Sequence, residues 1–275
     1  MASNTFSAPR FGKYFITDLK HSFTSSATTL TVIAAIPLIL SLFLGIIGLI
    51  FKGEWTSPTI SARIPAFIAA GLVILISQPA KFYGRLTDKR FGTAWSLLPA
   101  SPLEKTLSMI LICCIVTPVA LLVCYGSVDA LVCLLDKGCG DPIFHSGFFS
   151  TLAAKFGELP TGFSDSFKVI ANPWLYIDDV IQIPLTFLLG ALIFKKNKVS
   201  KTLLAVILSS IVISCITSAI LRPYAFHIGP DNVDEFLSHF EWMFRHIALV
   251  DTINDTVFNL ALIVAIYFRV KTIKH

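Results

Sequence analysis

Charge is scarce in this chain. Only 14% of its 275 residues are Asp, Glu, Lys or Arg, against the ~25% of an ordinary soluble domain. That scarcity excludes a large solvated surface, and the mean hydropathy of +0.76 agrees. Several catalytic signatures are also missing. No G-x-x-x-x-G-K-[ST] phosphate loop occurs, so any work driven by ATP must use a separate chain. No H-E-x-x-H helix, no nucleophile elbow and no Cys–His pair at a common depth occur either. The expectation is that the chain is not an enzyme and carries no cofactor. The first apolar run is too long for a secretory signal and lacks a small-residue cleavage site, so it is expected to remain as a membrane span.

What is present is apolar length. Six stretches, at about 29–51, 64–80, 106–128, 174–194, 202–221 and 250–268, each approach the ~20 residues that cross a bilayer core as a helix. The expected fold is all-α. A single polytopic membrane domain over 1–275 would hold six transmembrane helices, preceded by an interfacial helix at 10–25. Positive charge is sorted to alternate sides of the spans. The side holding the N-terminus, the 81–105 loop, the 195–201 turn and the C-terminus carries fifteen Lys and Arg against three acids. The other side carries seven against fourteen. This is the positive-inside pattern, so both termini are expected in the cytoplasm. The pI of about 8.9 therefore points to orientation and anionic lipid, with no nucleic acid as partner.

Residues 10–25 put Phe11, Phe15 and Leu19 on one face at helical spacing, as in a helix lying in the membrane interface. The polar stretch Ser22–Thr29 is expected to turn before span one. Pro65 and Pro79 are expected near the two ends of span two, and Pro118 to kink span three. Span three stays apolar as far as Leu135, longer than one crossing needs. Ser101-Pro102-Leu103-Glu104 has the N-cap, N1 and N3 residues of a capping box that starts this span. A tight Lys-rich turn makes spans four and five an antiparallel pair. The outer loops 136–173 and 222–249 each contain an amphipathic stretch.

Of six cysteines, Cys113, Cys114, Cys124 and Cys215 lie within spans as small apolar fillers. Cys133 and Cys139 fall at the outer end of span three, where an oxidising compartment permits a bridge that spacing alone does not decide. His239, Glu241 and His246 lack metalloprotease spacing and read as interfacial. Asp251, Asp255 and Asn259 share one face at the top of span six. Polar groups there are expected to look into the bundle, a partner or water, and Asp255 and Asn259 are candidates to line a translocation path. Asp178 or Asp179 is expected to pair with Lys168 or Arg63 at the outer surface.

The topology, with the stretches RFGKYFITDLK (10–20) and FGTAWSLLPASPLEK (91–105), resembles the ABC type-2 exporter permease class and small permease-like membrane proteins of Bacteroidota. The resemblance implies a permease subunit in a bacterial inner membrane. It would pair with itself or a sister chain and with a separate cytoplasmic ABC ATPase. It further implies that the 81–105 loop is the coupling element, with Arg85, Lys89, Arg90, Phe91 and Trp95 against the ATPase and the Phe11–Leu19 face packed nearby. Two other readings stand beside it. One is a non-transporting sensor, scaffold or assembly factor, and the other, less favoured, is a membrane-embedded enzyme.

Overall fold

The computed structural model describes residues 6–87, 92, 95, 97–144, 173–225 and 254–272. Of the described residues 87% are helical and none lies in a strand. Helix α1 runs Ala8–Ala34 and α2 runs Ile36–Lys52. They form one run of 45 residues, broken only at Ala35. The break falls where Pro37 has no N–H to give the preceding turn. The Ser22–Thr29 stretch expected to turn is helical throughout. Two of its hydroxyls bond back along the helix, Thr24 Oγ1 donating to the Lys20 carbonyl at 2.9 Å and Ser26 Oγ to the Ser22 carbonyl at 2.7 Å, and so need no turn to be satisfied. At ~1.5 Å per residue such a run is about twice the ~30 Å of a bilayer core. The interfacial segment and the first span are therefore parts of one helical rod with a single bend.

Gly53, at φ +74, ends α2 in the left-handed conformation that glycine adopts without strain. The chain then folds back so that the Trp55 ring lies over Gly45, where any side chain would collide with it. Helix α3, Ile60–Tyr83, carries both Pro65 and Pro79 inside it and continues as a 3-10 turn, Gly84–Thr87. The prolines expected near its ends are interior, as membrane helices allow when neighbouring groups compensate.

Helix α4, Pro102–Leu111, passes through a π turn, Ile112–Val116, into α5, Thr117–Leu135. The π turn is what Pro118 produces. The Thr117 N–H reaches back to the Ile112 carbonyl, and its hydroxyl bonds the same oxygen at 2.8 Å. After a 3-10 turn, Lys137–Cys139, the next described helices are α6, Pro173–Ile193, and α7, Lys198–Ala225. They are joined by a turn with Asn197 at φ 50 and packed as the expected antiparallel pair. The last helix, α8, covers 254–272.

Among the described residues four helical runs are long and apolar enough to cross a membrane: Ala8–Lys52, Ile60–Thr87, Pro102–Leu135 and Lys198–Ile216. Within α6 the apolar run Val180–Ile193 is shorter, and α8 carries Asp255, Arg269 and Lys271. Helix α7 shows why water is the wrong solvent. Only 6% of its apolar window is buried, leaving Leu204, Ile207, Leu208, Ile211 and Val212 exposed.

Among the described residues the interior divides into two apolar clusters. One gathers Tyr83, Leu86, Met109, Cys113, Leu188, Leu192, Ile266 and Val270, from the end of α3, from α4, α6 and α8. The other gathers Ile33, Ala70, Ile74, Leu121, Tyr125 and Ile143. Polar side chains cap each end. The loop end holds the start of α1, the Gly84–Thr87 turn, Trp95, residues 97–105 and the end of α8. The opposite end holds the 53–63 and 129–143 segments.

Candidate functional site

At the loop end the capping box forms as its residue types require. The Ser101 hydroxyl accepts from the Glu104 N–H at 3.3 Å, and Glu104 Oε2 accepts from the Ser101 N–H at 2.8 Å. This fixes the Glu104 carboxylate in a buried position. A buried carboxylate needs further donors, and they come from the far N-terminal segment. Arg10 donates through Nε to Oε2 at 2.8 Å and through Nη2 to Oε1 at 2.7 Å, and the Ser7 N–H donates to Oε1 at 2.8 Å. Glu104 precedes the apolar stretch that begins at 106. The Arg10 side chain above all, with the Ser101 and Ser7 N–H groups, outweighs burial and holds its carboxyl down at about 2.

Two turns along α1, Asp18 ties the same helix to α3 and α4. Its Oδ2 accepts from the Tyr83 hydroxyl at 3.0 Å and from the Ser108 hydroxyl at 2.7 Å. Between these anchors the Trp95 Nε1 donates to the Tyr14 hydroxyl at 3.2 Å. Lys105 locks Trp95 from below. Its Nζ donates to the Trp95 carbonyl at 2.9 Å and sits 4.4 Å from the centre of the indole ring. Lys198, at the start of α7, donates to the Gly84 carbonyl and to the Thr87 hydroxyl. The loop is thus clamped by α1 on one side and by α7 on the other. A cavity of about 570 Å³ opens between α1 and the loop, lined among others by Tyr14, Asp18, His21, Tyr83, Trp95 and Leu98.

The coupling candidates divide between two positions. Arg85 stands on the exposed side of the 3-10 turn, flanked by the buried Gly84 and Leu86. Trp95 faces inward, holding the loop to α1 and Lys105. Lys89, Arg90 and Phe91 lie outside the described residues. On α1, Phe11 and Phe15 stack with ring centres 5.8 Å apart, and both are half-buried, as is Leu19. Asn259 is buried against α6, its Nδ2 donating to the Asp178 carbonyl at 3.4 Å while its Oδ1 has no partner among the described residues. Asp255, one turn earlier, is half-buried. Asp251, His239, Glu241 and His246 fall outside the described residues.

The opposite end holds the more buried of the two ion pairs seen among the described residues. Arg63 was expected at the surface, as one of two candidate partners for Asp178 or Asp179. It is instead almost fully buried in the first turns of α3 and pairs with Asp129 of α5, Nη1 lying 3.1 Å from each carboxylate oxygen. The reason is reach and number. Asp129 is complemented also by the Ile143 N–H at 2.8 Å, and the second arm of Arg63 finds the carbonyls of Cys139 at 3.0 Å and Asp141 at 2.8 Å. Nearby, Asp136 accepts from Trp55 Nε1 at 3.1 Å, from the Ser57 hydroxyl at 2.9 Å and from the Gly138 N–H at 3.0 Å. Burial pushes its pKa up, but these three donors prevail and leave it below the ordinary carboxylate value. Among the described residues no group of three His, Cys, Asp or Glu side chains is placed to hold a metal.

Three of these residues were not singled out by their sequence context. Arg10 counted only towards orientation, Glu104 only towards the cap, and Asp129 only as an acid at the end of a span. The available signal was the charge itself: an isolated Asp inside the apolar run 117–135 demands a partner. The chain matches no protein-family model, no curated protein and no solved structure. What the structure defines is a class: an all-helical bundle whose long apolar helices mark it as membrane-embedded.

Proposed function

We propose that this chain is the transmembrane permease subunit of an ATP-driven exporter of the ABC type-2 kind, working with a separate cytoplasmic ATPase. In this reading it crosses a bacterial inner membrane six times with both termini inside, α6 and α8 supplying the two crossings beyond the four longest runs. It acts as a homodimer or beside a sister permease. The observation that supports the reading is the clamp at the loop end. A partner pressing on Arg85 and the adjoining basic residues would push a loop fixed to α1 by Trp95–Tyr14, to α4 by Lys105 and to α7 by Lys198. Three helices would then move together, which is the mechanical requirement of a coupling element. Arg85, Lys89 and Arg90 supply the charge that meets the ATPase. Trp95, half-buried against α1 and Lys105, passes the push from that contact into the bundle. Asp255 and Asn259 give the path its polar face.

The test is co-purification of the full chain with its ATPase, followed by triple charge reversal, R85E/K89E/R90E. The reading predicts capture of a P-loop ATPase whose turnover changes on binding. It also predicts at least a tenfold weaker association for the reversed chain, with the folded membrane protein retained. Association that survives charge reversal overturns the coupling assignment. Capture of a cytoplasmic protein without ATPase activity favours the scaffold reading.

A further inference from the structure

We infer that Cys133 and Cys139 form a disulfide that closes the cap over the Arg63–Asp129 pair. Both side chains are thiols in the structure, and their sulfurs lie 2.8 Å apart. That separation is well inside ordinary contact between two thiols and one small displacement from the ~2.05 Å of a bond. The surroundings hold the two together independently of any bond. Cys133 is in the last turn of α5, and Cys139 ends the 3-10 turn Lys137–Cys139. Asp136, between them, bonds the Gly138 N–H and accepts the Cys139 N–H on its carbonyl at 3.0 Å. The guanidinium of Arg63 grips both partners, Nη1 at 2.9 Å from Cys133 Sγ and Nη2 at 3.0 Å from the Cys139 carbonyl. Gly138 packs against Ser57, leaving no space between them for a side chain.

The charge pattern adds the compartment. This end of the bundle carries the acid-rich connections, which positive-inside sorting assigns to the outer, oxidising side. The other cysteines have no such pairing: Cys113 and Cys114 are adjacent in the π turn, and Cys124 and Cys215 lie on different helices.

The chemistry is thiol–disulfide exchange with a protein disulfide of the outer compartment as oxidant. One cysteine loses its proton and attacks a sulfur of that disulfide, forming a mixed disulfide and releasing one oxidant thiol. The second cysteine loses its proton and attacks the first, forming the Cys133–Cys139 bond and releasing the second oxidant thiol. The pair loses two electrons and two protons, and the oxidant gains both. Cys139 is buried in the folded cap and Cys133 half-buried, so the exchange belongs to folding, before the cap closes.

The test counts thiols in the full-length chain. Cells are quenched in acid, and the chain is denatured, alkylated with N-ethylmaleimide and weighed intact, before and after reduction. The expected result is four alkylated thiols of the six cysteines before reduction and six after it. The C133S/C139S variant should show four in both cases, and C215S should keep the difference of two. Six alkylated thiols before reduction, or a difference of two that persists in C133S/C139S, overturns the inference. A second measurement does not depend on variants. Wild-type chain kept reduced in detergent and left unalkylated should melt about 4–9 °C below the oxidised chain, as expected for a short closed loop. Identical melting would show that the bond closes nothing.

Discussion

Replacing Glu104 with Gln tests the clamp directly. The carboxylate is fully buried and receives two side-chain nitrogens of Arg10 and two backbone N–H groups. Gln can keep one carbonyl oxygen for the cap but presents an amide where Arg10 and Ser7 need an acceptor. Hydrogen bonds to a charged group are worth about 1.5–3 kcal/mol net. Breaking a fully buried ion pair costs about 3–5 kcal/mol, but the Arg10 side chain remains 26% exposed and can rehydrate. The loss expected is therefore about 2–3 kcal/mol. For a chain of this size that lowers the apparent melting temperature by about 5–10 °C, read by tryptophan fluorescence in detergent. The pairwise part is isolated by a cycle of Arg10→Gln, Glu104→Gln and the double variant. The double variant should be more stable than the sum of the single losses predicts, with a coupling of at least ~1 kcal/mol. Strict additivity would refute the pairing, whatever the size of the single losses.

The same carboxylate sets a pH dependence. Its pKa is lowered from 4.5 to about 2 in the fold, so its contribution is present above 4.5 and is lost as pH falls towards 2. Melting of the wild type should drop across that window, and that of Glu104→Gln should be flatter. Arg63→Met leaves the Asp129 carboxylate and two carbonyls facing an apolar side chain, at an expected cost of about 3–5 kcal/mol, read as loss of monodisperse protein in detergent. Arg63→Lys should not restore it, since one ammonium cannot serve the carboxylate and both carbonyls from a fork's two arms. Gly190→Val places a side chain against Thr202, where even a methyl group collides. It should separate α6 from α7 and lower the melting temperature by several degrees, whereas Gly190→Val with Thr202→Ala should recover part of the loss.

The all-helical class, four of the long apolar runs and the capping box were legible without coordinates, because all are local. Apolar length reports a helix in hydrocarbon, and Ser101 to Glu104 is one turn. Of the prolines read as boundaries, Pro102 does start its helix, but the two assigned to the ends of span two misled. Pro65 and Pro79 sit inside α3, and the break in the first rod comes at Ala35. Pro118 does disturb its helix, but through a π turn that no residue count specifies. Coupling residues in the 81–105 loop were chosen by charge and aromaticity, which do not distinguish a side chain that faces outward, as Arg85 does, from one turned in, as Trp95 is.

From its own residues the chain determined an all-helical architecture, its apolar runs and the sorting of charge between their ends, since each follows from side chains within a few turns. Only the tertiary structure decided that Arg10 meets Glu104 across 94 positions and Arg63 meets Asp129 across 66. Helical periodicity says which face must be covered. Which helix covers it depends on the packing of all the helices at once, and a buried charge is satisfied only when that packing brings its counterpart within reach.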